Sequence, residues 1–261
     1  MKLVFITGAS SGMGQAMAVA YLQKGWRVAV VARRVDALQA WAGQTTQQLD
    51  LDADRIGVFG ADVQNPDSIV AAAEQCMAHM GLPDVVIANA GISLGVDTAE
   101  REDLAVMRQV MDTNVLGMAA TFHPFIRGMQ ARGSGTLVGI ASVAGIRGLP
   151  GHAAYCASKA AVISYCESLR GELRASGVQV CTIAPGYVAT PLTERNRYPM
   201  PFLMSAEAFA RQALRSIDKG SSYRVIPWPM GLVAKLLRAL PNAVFDRVLK
   251  GRPRKHRYAD S

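Results

Sequence analysis

The chain has 261 residues, of which 50% are hydrophobic and 18% are charged. This composition supplies enough apolar surface for a folded core and excludes disorder for the bulk of the chain. The formal net charge is +8, but residues 224–261 hold nine basic and two acidic residues, which leaves a surplus of only one positive charge for residues 1–223. A body that binds nucleic acid is therefore not expected, since the basic character belongs to the C-terminal tail.

No segment has the pattern of a membrane span or a signal peptide. The longest apolar run, residues 225–234, is ten residues long and contains two prolines and a glycine, which is too short for a transmembrane helix. Residues 3–6 are too short for a signal-peptide core, so we expect a cytoplasmic protein. The four cysteines, Cys76, Cys156, Cys166 and Cys181, form no CxxC pair and lack metal-ligand spacing. We expect reduced, mostly buried thiols and no metal site.

Short apolar segments rich in β-branched residues alternate with longer amphipathic segments. Strands are predicted over residues 2–7, 27–32, 55–60, 84–88, 135–141, 178–184 and 224–227. Helices are predicted over residues 14–24, 35–49, 66–80, 100–131 (as two helices), 153–176 and 205–219. Because strands apolar on consecutive positions are buried on both faces, this alternation predicts an α/β fold with a doubly wound, Rossmann-type, mainly parallel seven-stranded sheet and helices on both faces. We predict one domain over residues 1–228 and a helical extension over residues 229–261.

The first predicted strand runs into a glycine-rich turn that opens a helix. The turn contains Gly8, Ser10, Ser11, Gly12, Met13 and Gly14. Glycines permit a tight turn, and they let backbone amides approach a pyrophosphate at the positive end of the helix. A glycine cluster alone also suits an ordinary turn, but this strand–turn–helix context favours dinucleotide binding.

The end of the second predicted strand bears on the choice of cofactor. An acidic residue there would bind the ribose 2′-hydroxyl of NAD, whereas this chain has Arg33 and Arg34. Guanidinium groups suit a 2′-phosphate, so we predict NADP(H), bound first by Arg33 with Ser11 or Arg34 helping. The alternative is that both arginines only cap a strand at the surface.

Polar and small residues follow the later strands in a fixed order. They are Asp62, Val63, Asn89, Ala90, Gly91, Asn114, Ser142, Tyr155, Lys159, Pro185, Gly186, Val188 and Thr190. Together with the glycine turn, this series resembles the short-chain dehydrogenase/reductase family over about residues 2–228. The resemblance implies an NADP(H)-dependent oxidoreductase that interconverts a carbonyl and an alcohol.

The same resemblance implies a role for each group of residues. Asn114, Ser142, Tyr155 and Lys159 would be catalytic, with Asn114 holding a long helix bent around a water that links Lys159 to solvent. Asp62 and Val63 would lie beside the adenine, and residues 89–91 would form the floor of the cofactor cleft. Val188 and Thr190 would hold the carboxamide of the nicotinamide. Pro185 and Gly186, together with Tyr155 and Lys159, would complete the cofactor site.

The spacing of Tyr155 and Lys159 also has a chemical reason. A free tyrosine, with a pKa of about 10, is a poor acid–base catalyst at neutral pH. A lysine one helical turn away would stabilise the phenolate, and we therefore expect Lys159 to lower the pKa of Tyr155. Ser142 would hydrogen-bond the substrate oxygen and stabilise its developing charge.

Apolar residues are predicted to line the substrate pocket. They are Leu94, Gly95, Ile146, Leu149, Tyr187, Leu192 and residues 198–204. By the resemblance, segment 198–204 lies where the family carries a substrate lid. Its apolar, methionine-rich character favours a hydrophobic substrate, although it could equally be a lid that packs on its own core. An acyl-thioester ketoreductase and, from another functional class, a non-catalytic NADP-sensing scaffold remain alternatives.

Two features concern assembly and partners. The helix predicted at 153–176 carries small residues, Ala153, Ala154, Ala157, Ala160, Ala161 and Ser164, and the resemblance implies a homodimer or homotetramer through this helix.

Residues 232–240 and 244–249 have apolar residues at helical spacing with basic flanks. This hairpin could lie on an anionic membrane surface with Trp228 at the interface. Alternatively, it could cover the substrate cleft or an oligomer interface while residues 251–261 extend into solvent.

Overall fold

The computed structural model describes residues 1–194, 196, 199–251, 257 and 258, and its centre is a seven-stranded parallel sheet. The strands are β1 (Leu3–Thr7), β2 (Arg27–Ala32), β3 (Ile56–Gly60), β4 (Val85–Ala88), β5 (Gly135–Ile140), β6 (Val178–Pro185) and, after the short pair β7 (Val188–Ala189) and β8 (Met204–Ser205), β9 (Tyr223–Ile226). Their spatial order is β3-β2-β1-β4-β5-β6-β9. The predicted doubly wound fold is confirmed.

Helices cover both faces of this sheet. They are α1 (Gly12–Gln23), α2 (Val35–Gln48), α3 (Pro66–Met80), α4 (Asp103–Met111), α5 (Gly117–Arg132), α6 (Ala153–Leu173), α7 (Pro191–Glu194), α8 (Ala206–Asp218), α9 (Trp228–Ala239) and α10 (Asn242–Leu249). Buried residues of α3, α5 and α6 pack with Phe5 and Val86 on one face of the sheet. Those of α1, α2 and α8 pack with Val4 and Ile6 on the other. Consecutive residues of a strand thus pack into the cores on opposite faces of the sheet, as the continuous apolar strands predict.

The predicted helical region 100–131 is divided by a π-helical turn. The turn spans Asp112–Leu116 and separates α4 from α5. Thr113 and Asn114 within it are buried. Such wide turns leave part of the helical hydrogen-bonding pattern unmade and often occur at functional sites.

The direction in which successive strands are added to the sheet reverses at β1. Strands β2 and β3 lie on one side of β1, and β4 begins the other half. Parallel sheets of this kind open a crevice at the carboxyl ends of the strands where the order reverses. The cleft described below lies there.

The C-terminal extension packs against the domain that contains the sheet. Helix α9 contacts β9, since a Cβ on Gly231 would lie 3.2 Å from Val225, and Phe245 of α10 is buried. The Arg147 guanidinium donates to the carbonyl oxygens of Leu237 and, at 2.8 Å, Leu240, and it lies 3.8 Å from the centre of the Phe245 ring. A cation at the C-terminal end of a helix stabilises the exposed carbonyl groups there.

The last described residues do not extend freely into solvent. Arg257 forms an isolated parallel bridge with Gly95, so residues 257 and 258 depart from the alternative of a tail that extends into solvent over residues 251–261; the rest of that prediction, apart from Gly251, lies outside the described residues. Across the described residues, no helix combines the length and apolarity needed to cross a membrane. All four cysteines are free and buried, as predicted.

Candidate active site

A cleft of about 310 Å³ lies at the carboxyl ends of β1, β2, β4, β5 and β6. The predicted site residues that line it are Gly8, Ser10, Ser11, Gly12, Met13, Arg33, Asp62, Val63, Asn89, Ala90, Gly91, Ser142, Tyr155, Lys159, Pro185, Gly186, Val188 and Thr190. Gly14, Arg34 and Asn114 were also predicted and lie outside this lining. The glycine turn and the Tyr155–Lys159 pair, far apart in sequence, thus share one cleft.

The glycine turn is held in a backbone conformation that glycine favours. Gly8 and Gly12 have φ values of +67° and +58°. A Cβ on Gly8 would lie 2.7 Å from the Cα of Ala90, so only glycine permits this approach. Ser11 takes the N-cap position of α1 without a side-chain capping hydrogen bond. The turn therefore directs the amino end of α1 toward the cleft, which suits an anion.

Asn89 locks the glycine turn to the end of β4. Its Nδ2 donates to the carbonyl oxygens of Thr7 and Gly8, both at 3.0 Å. Its backbone N–H donates to Thr7 Oγ1 at 3.2 Å. The buried Oδ1 of Asn89 has no hydrogen-bond partner among the described residues. An unsatisfied buried acceptor in this cleft fits a polar ligand with a donor group, as a dinucleotide would provide. Gly14 packs behind this group: a Cβ there would lie 2.6 Å from Asn89 Nδ2.

The two arginines after β2 have different surroundings. Arg33 lines the cleft, is 66% exposed, and has its Nη1 3.9 Å from Asp62 Oδ2. Arg34 takes the N-cap position of α2 and is exposed outside the cleft lining. Arg33 and Lys159 are the cationic side chains among the described residues that line the cleft. Arg33 therefore lies on the cleft lining and Arg34 beside it, and the help of Arg34 in binding the cofactor stays a prediction.

Ser142, Tyr155 and Lys159 come from two elements. Ser142 follows β5, and its Oγ accepts from the N–H of Ala144 at 3.1 Å. Tyr155 and Lys159 lie one turn apart in α6, with Lys159 Nζ 5.9 Å from the centre of the Tyr155 ring. Lys159 Nζ donates to the Ile140 carbonyl at 2.7 Å. All three side chains reach the same cleft.

Burial sets the charge states of this pair. It raises the pKa of the Tyr155 hydroxyl, against a smaller lowering by its hydrogen bond with Ser142. It lowers the pKa of Lys159 to about 8. Burial is the largest influence on the pKa of Tyr155, and Lys159 Nζ is directed to the Ile140 carbonyl. The expectation that Lys159 lowers the pKa of Tyr155 stays a prediction.

Asn114 lies behind the cleft and fixes the loop after β4. Its Oδ1 accepts from the N–H of Ile92 at 2.8 Å, and its Nδ2 donates to the Ile92 carbonyl at 2.9 Å. Nδ2 also donates to Ser158 Oγ at 2.9 Å, which joins the π-helical turn to α6. A Cβ on Gly91 would lie 3.2 Å from Asn114 Oδ1 and 3.4 Å from Lys159 Nζ. The Asn114 amide therefore ties together the three segments that surround Lys159.

The predicted substrate residues divide between two places. Leu192 lines the cofactor cleft, whereas Ile146 and Leu149 line a second cleft of about 1230 Å³ between residues 144–150, α6 and α10. Leu94, Gly95 and Tyr187 line neither cleft. The prediction for Tyr198 lies outside the described residues.

Sequence reasoning missed several residues that line the cofactor cleft. They include Gln64, Ile92, Thr113, Pro191 and Thr193. Ile92, Thr113 and Pro191 are direct neighbours of predicted residues, so extending each motif by one residue would have found them. Thr193 carried no sequence signal. Its hydroxyl donates to the Val188 carbonyl at 2.6 Å and accepts from the N–H of Thr190 at 3.1 Å, which holds the segment after β6.

Comparison with known proteins identifies the family. The family model described as short chain dehydrogenase matches residues 2–200. An uncharacterized oxidoreductase of Myxococcus xanthus is 38% identical over 94% of this chain and 95% of its own length, and ketoacyl reductase HetN of a Nostoc species is 33% identical over 77% and 69%. The crystal structure of a short-chain type dehydrogenase/reductase from Mycobacterium marinum aligns with a TM-score of 0.77, at 30% identity over 86% of this chain and 93% of its own. The chain belongs to the short-chain dehydrogenase/reductase family of oxidoreductases.

Proposed function

We propose that this chain is an NADP(H)-dependent oxidoreductase that interconverts a carbonyl and an alcohol on a hydrophobic small molecule. One observation carries the proposal: Ser142, Tyr155 and Lys159 line the same cleft as the glycine turn. A site that only bound or sensed the cofactor would need the glycine turn but not these three groups. The complete set therefore favours catalysis over the sensing scaffold.

Each group has a role in binding the cofactor. Gly8, Ser10, Ser11, Gly12 and Met13 would hold the pyrophosphate at the amino end of α1. Arg33 would bind the 2′-phosphate, Asp62 and Val63 would flank the adenine, and residues 89–91 would form the floor. Pro185, Gly186, Val188 and Thr190 would hold the nicotinamide end, and Lys159 would bind its ribose. When bound, this cofactor supplies or takes up the hydride.

Tyr155 donates the proton in reduction and accepts it in oxidation. In the reduction direction, its hydroxyl gives a proton to the carbonyl oxygen while Ser142 hydrogen-bonds the same oxygen. The Lys159 ammonium then stabilises the phenolate that remains. In oxidation the proton passes from the alcohol back to Tyr155. Asn114 does not line the cleft, and we assign it a positioning role through Ile92 and Ser158.

The lining of the cleft supports a hydrophobic substrate. Ile92, Val188 and Leu192 are among the apolar residues that line it. Phe202 and Leu203 in the proposed lid are about half exposed, so they do not pack fully into a core of their own. A 3-ketoacyl thioester is the alternative substrate, favoured by the likeness to ketoacyl reductase HetN.

Two partners are also proposed. The exposed Ala153, Ala157 and Ala160 on α6 allow close approach of another helix, which suits a homodimer or homotetramer.

The outer face of α9 carries Trp228, Leu232 and Leu236, spaced one turn apart and each more than half exposed. Exposed Lys235 and Arg238 on α9, Arg247 on α10 and Lys250 directly after α10 accompany them. This combination of apolar face and positive charge fits an anionic membrane surface.

Replacing Tyr155 tests the catalytic proposal. We expect Tyr155→Phe to lower kcat for the best substrate in a panel of ketones, aldehydes and 3-ketoacyl thioesters by about 10²- to 10⁴-fold, because the proton donor is lost. Calorimetry should show unchanged NADPH affinity. Tyr165→Phe, on the same helix but outside the cleft, is the matched control. Wild-type turnover by Tyr155→Phe would disprove the mechanism, and the preferred substrate class separates the two substrate proposals.

Replacing Arg33 tests the choice of cofactor. Arg33→Asp should raise KM for NADPH by about tenfold or more, since it removes a charge-assisted contact to the 2′-phosphate. It should also shift preference toward NADH. Arg34→Asp makes the same charge change outside the cleft lining and should have the smaller effect on both values. Equal effects of the two variants would show that only overall charge matters.

The pH dependence reports on Lys159. Because the pKa of Lys159 is lowered to about 8, its ammonium is present below that pH and lost above it. The raised pKa of Tyr155 keeps its proton over the same range. We expect kcat/KM for carbonyl reduction to fall as pH rises through about 8. A constant kcat/KM up to the ordinary lysine pKa of about 10.4, with the fold intact by circular dichroism, would contradict this assignment.

Vesicle binding tests the proposed membrane partner. Wild-type protein should sediment with phosphatidylserine vesicles and be released by high salt, whereas Leu232→Glu/Leu236→Glu should stay in solution. Leu104→Glu, an equally exposed site on α4, is the control and should bind like wild type. Absence of wild-type binding would refute the proposal. A dimer lost only in the double variant would assign this face to a second copy of the chain.

A further inference from the structure

Arg147 joins the loop after β5 to the C-terminal hairpin, which α9 and α10 form. Its Nη1 donates to the carbonyl oxygens of Leu237, of Arg238 at 3.2 Å and of Leu240 at 2.8 Å. Its Nη2 donates to Asn242 Oδ1 at 3.0 Å. The carbonyl groups at the end of a helix lack partners within the helix. One half-buried guanidinium therefore caps the end of α9 and binds the start of α10.

This contact depends on the shape of the guanidinium as well as on its charge. The buried Phe245 ring lies with its centre 3.8 Å from the guanidinium carbon of Arg147, which adds a cation–π contact to the four hydrogen bonds. A lysine ammonium has three donors and no flat face, so it cannot reproduce the whole arrangement. The residue at position 147 therefore determines how firmly the hairpin is attached to this loop.

The loop that leads to Arg147 begins with Ser142 and contains a 3₁₀-helical turn. Ser142 Oγ accepts from the N–H of Ala144 at 3.1 Å, and its carbonyl oxygen accepts from the N–H of Gly145 at 3.0 Å. A Cβ on Gly145 would lie 2.7 Å from the carbonyl oxygen of Lys159, so this Ser142 turn packs directly on the backbone of α6. The turn is thus one hydrogen-bonded unit that contacts the helix of the catalytic pair.

The Ser142 turn is supported at both of its ends. At the start, the N–H of Ala141 donates to the Ile183 carbonyl at 2.7 Å, which ties it to β6. At the far end, Arg147 ties it to the hairpin. Gly148 and Pro150, the next residues but for one, are exposed, so the loop beyond Arg147 gives little further support. The hairpin contact is therefore the second support of the turn.

We propose that Arg147 is a positioning residue that fixes the Ser142 turn to the C-terminal hairpin, so that the hairpin helps to orient the Ser142 hydroxyl in the active site. The inference rests on the proposed carbonyl–alcohol activity, in which Ser142 hydrogen-bonds the substrate oxygen. Loss of Arg147 should impair this step more than cofactor binding, because the glycine turn follows β1, which β4 separates from β5 in the sheet.

Hydrogen exchange tests the contact without relying on activity. In Arg147→Gln, the amides of Ala144 and Gly145 should exchange about tenfold faster or more, the factor expected for lost charge-assisted hydrogen bonds. Arg147→Lys and Asn242→Ala each keep part of the contact and should give smaller increases. Arg170→Gln, at an exposed site on α6, is the control and should exchange like wild type. Unchanged exchange in folded Arg147→Gln would overturn the proposed support.

A double-mutant cycle then tests whether Arg147 acts through Ser142. Arg147→Gln should lower kcat by about tenfold with KM for NADPH unchanged, and Arg147→Lys should lower it less. In a Ser142→Ala background, the same Arg147→Gln change should lower kcat by less than about twofold, because the group that it positions is already absent. Arg170→Gln should leave kcat unchanged in both backgrounds.

Equal losses of kcat in the two backgrounds would overturn the positioning role, since Arg147 would then act independently of Ser142. A fall in NADPH affinity as large as the fall in kcat would overturn it as well. If the wild-type enzyme reduces no member of the carbonyl panel, the proposed function fails, while the exchange measurement still decides whether the hairpin supports the Ser142 turn.

Discussion

The parallel pairing of β1 with β4 is the contact on which the cleft depends. It registers Val4, Phe5 and Ile6 with Val85, Val86 and Ile87, although the two strands are about eighty residues apart in the chain. Because both strands end together, Asn89 reaches Thr7 and donates two hydrogen bonds to it. Gly8 can then approach Ala90 so closely that no side chain fits between them. The glycine turn, the cleft floor and the start of α1 all take their positions from this pairing.

Burial governs the chemistry of the side of the cleft that carries Tyr155 and Lys159. Low polarity around Tyr155 and Lys159 disfavours a charge on either group, so both are closer to neutral than in water. The same environment strengthens the hydrogen bonds that Asn114 makes to Ile92 and Ser158. A site of this kind holds its groups rigidly and leaves charge separation to the moment of reaction.

Local motifs made much of this molecule predictable. The alternation of strands and helices specifies the sheet, and the glycine turn, Ser142 and the Tyr155–Lys159 pair each follow a strand or share a helix face, so their convergence follows from topology. Other features depend on contacts between distant residues. The contact between Arg257 and Asp103 joins positions 154 residues apart, and no local sequence pattern predicts it. The placement of Ile146 and Leu149 in the second cleft likewise depends on where α10 packs. The raised pKa of Tyr155 depends on the balance between burial and attraction, which spacing alone does not reveal.

The buried cysteines have a consequence for chemical durability. Burial raises the pKa of Cys76 and Cys181 to about 12 and that of Cys166 to about 11, and it also raises the pKa of Cys156 beside Tyr155. Only the thiolate reacts readily with oxidants and alkylating agents. At neutral pH a thiol with a pKa of about 12 is ionised in roughly one molecule in 10⁵. The packing that forms the two cores therefore also keeps the thiols of Cys76, Cys166 and Cys181 protonated at neutral pH, the form that reacts poorly with oxidants and alkylating agents.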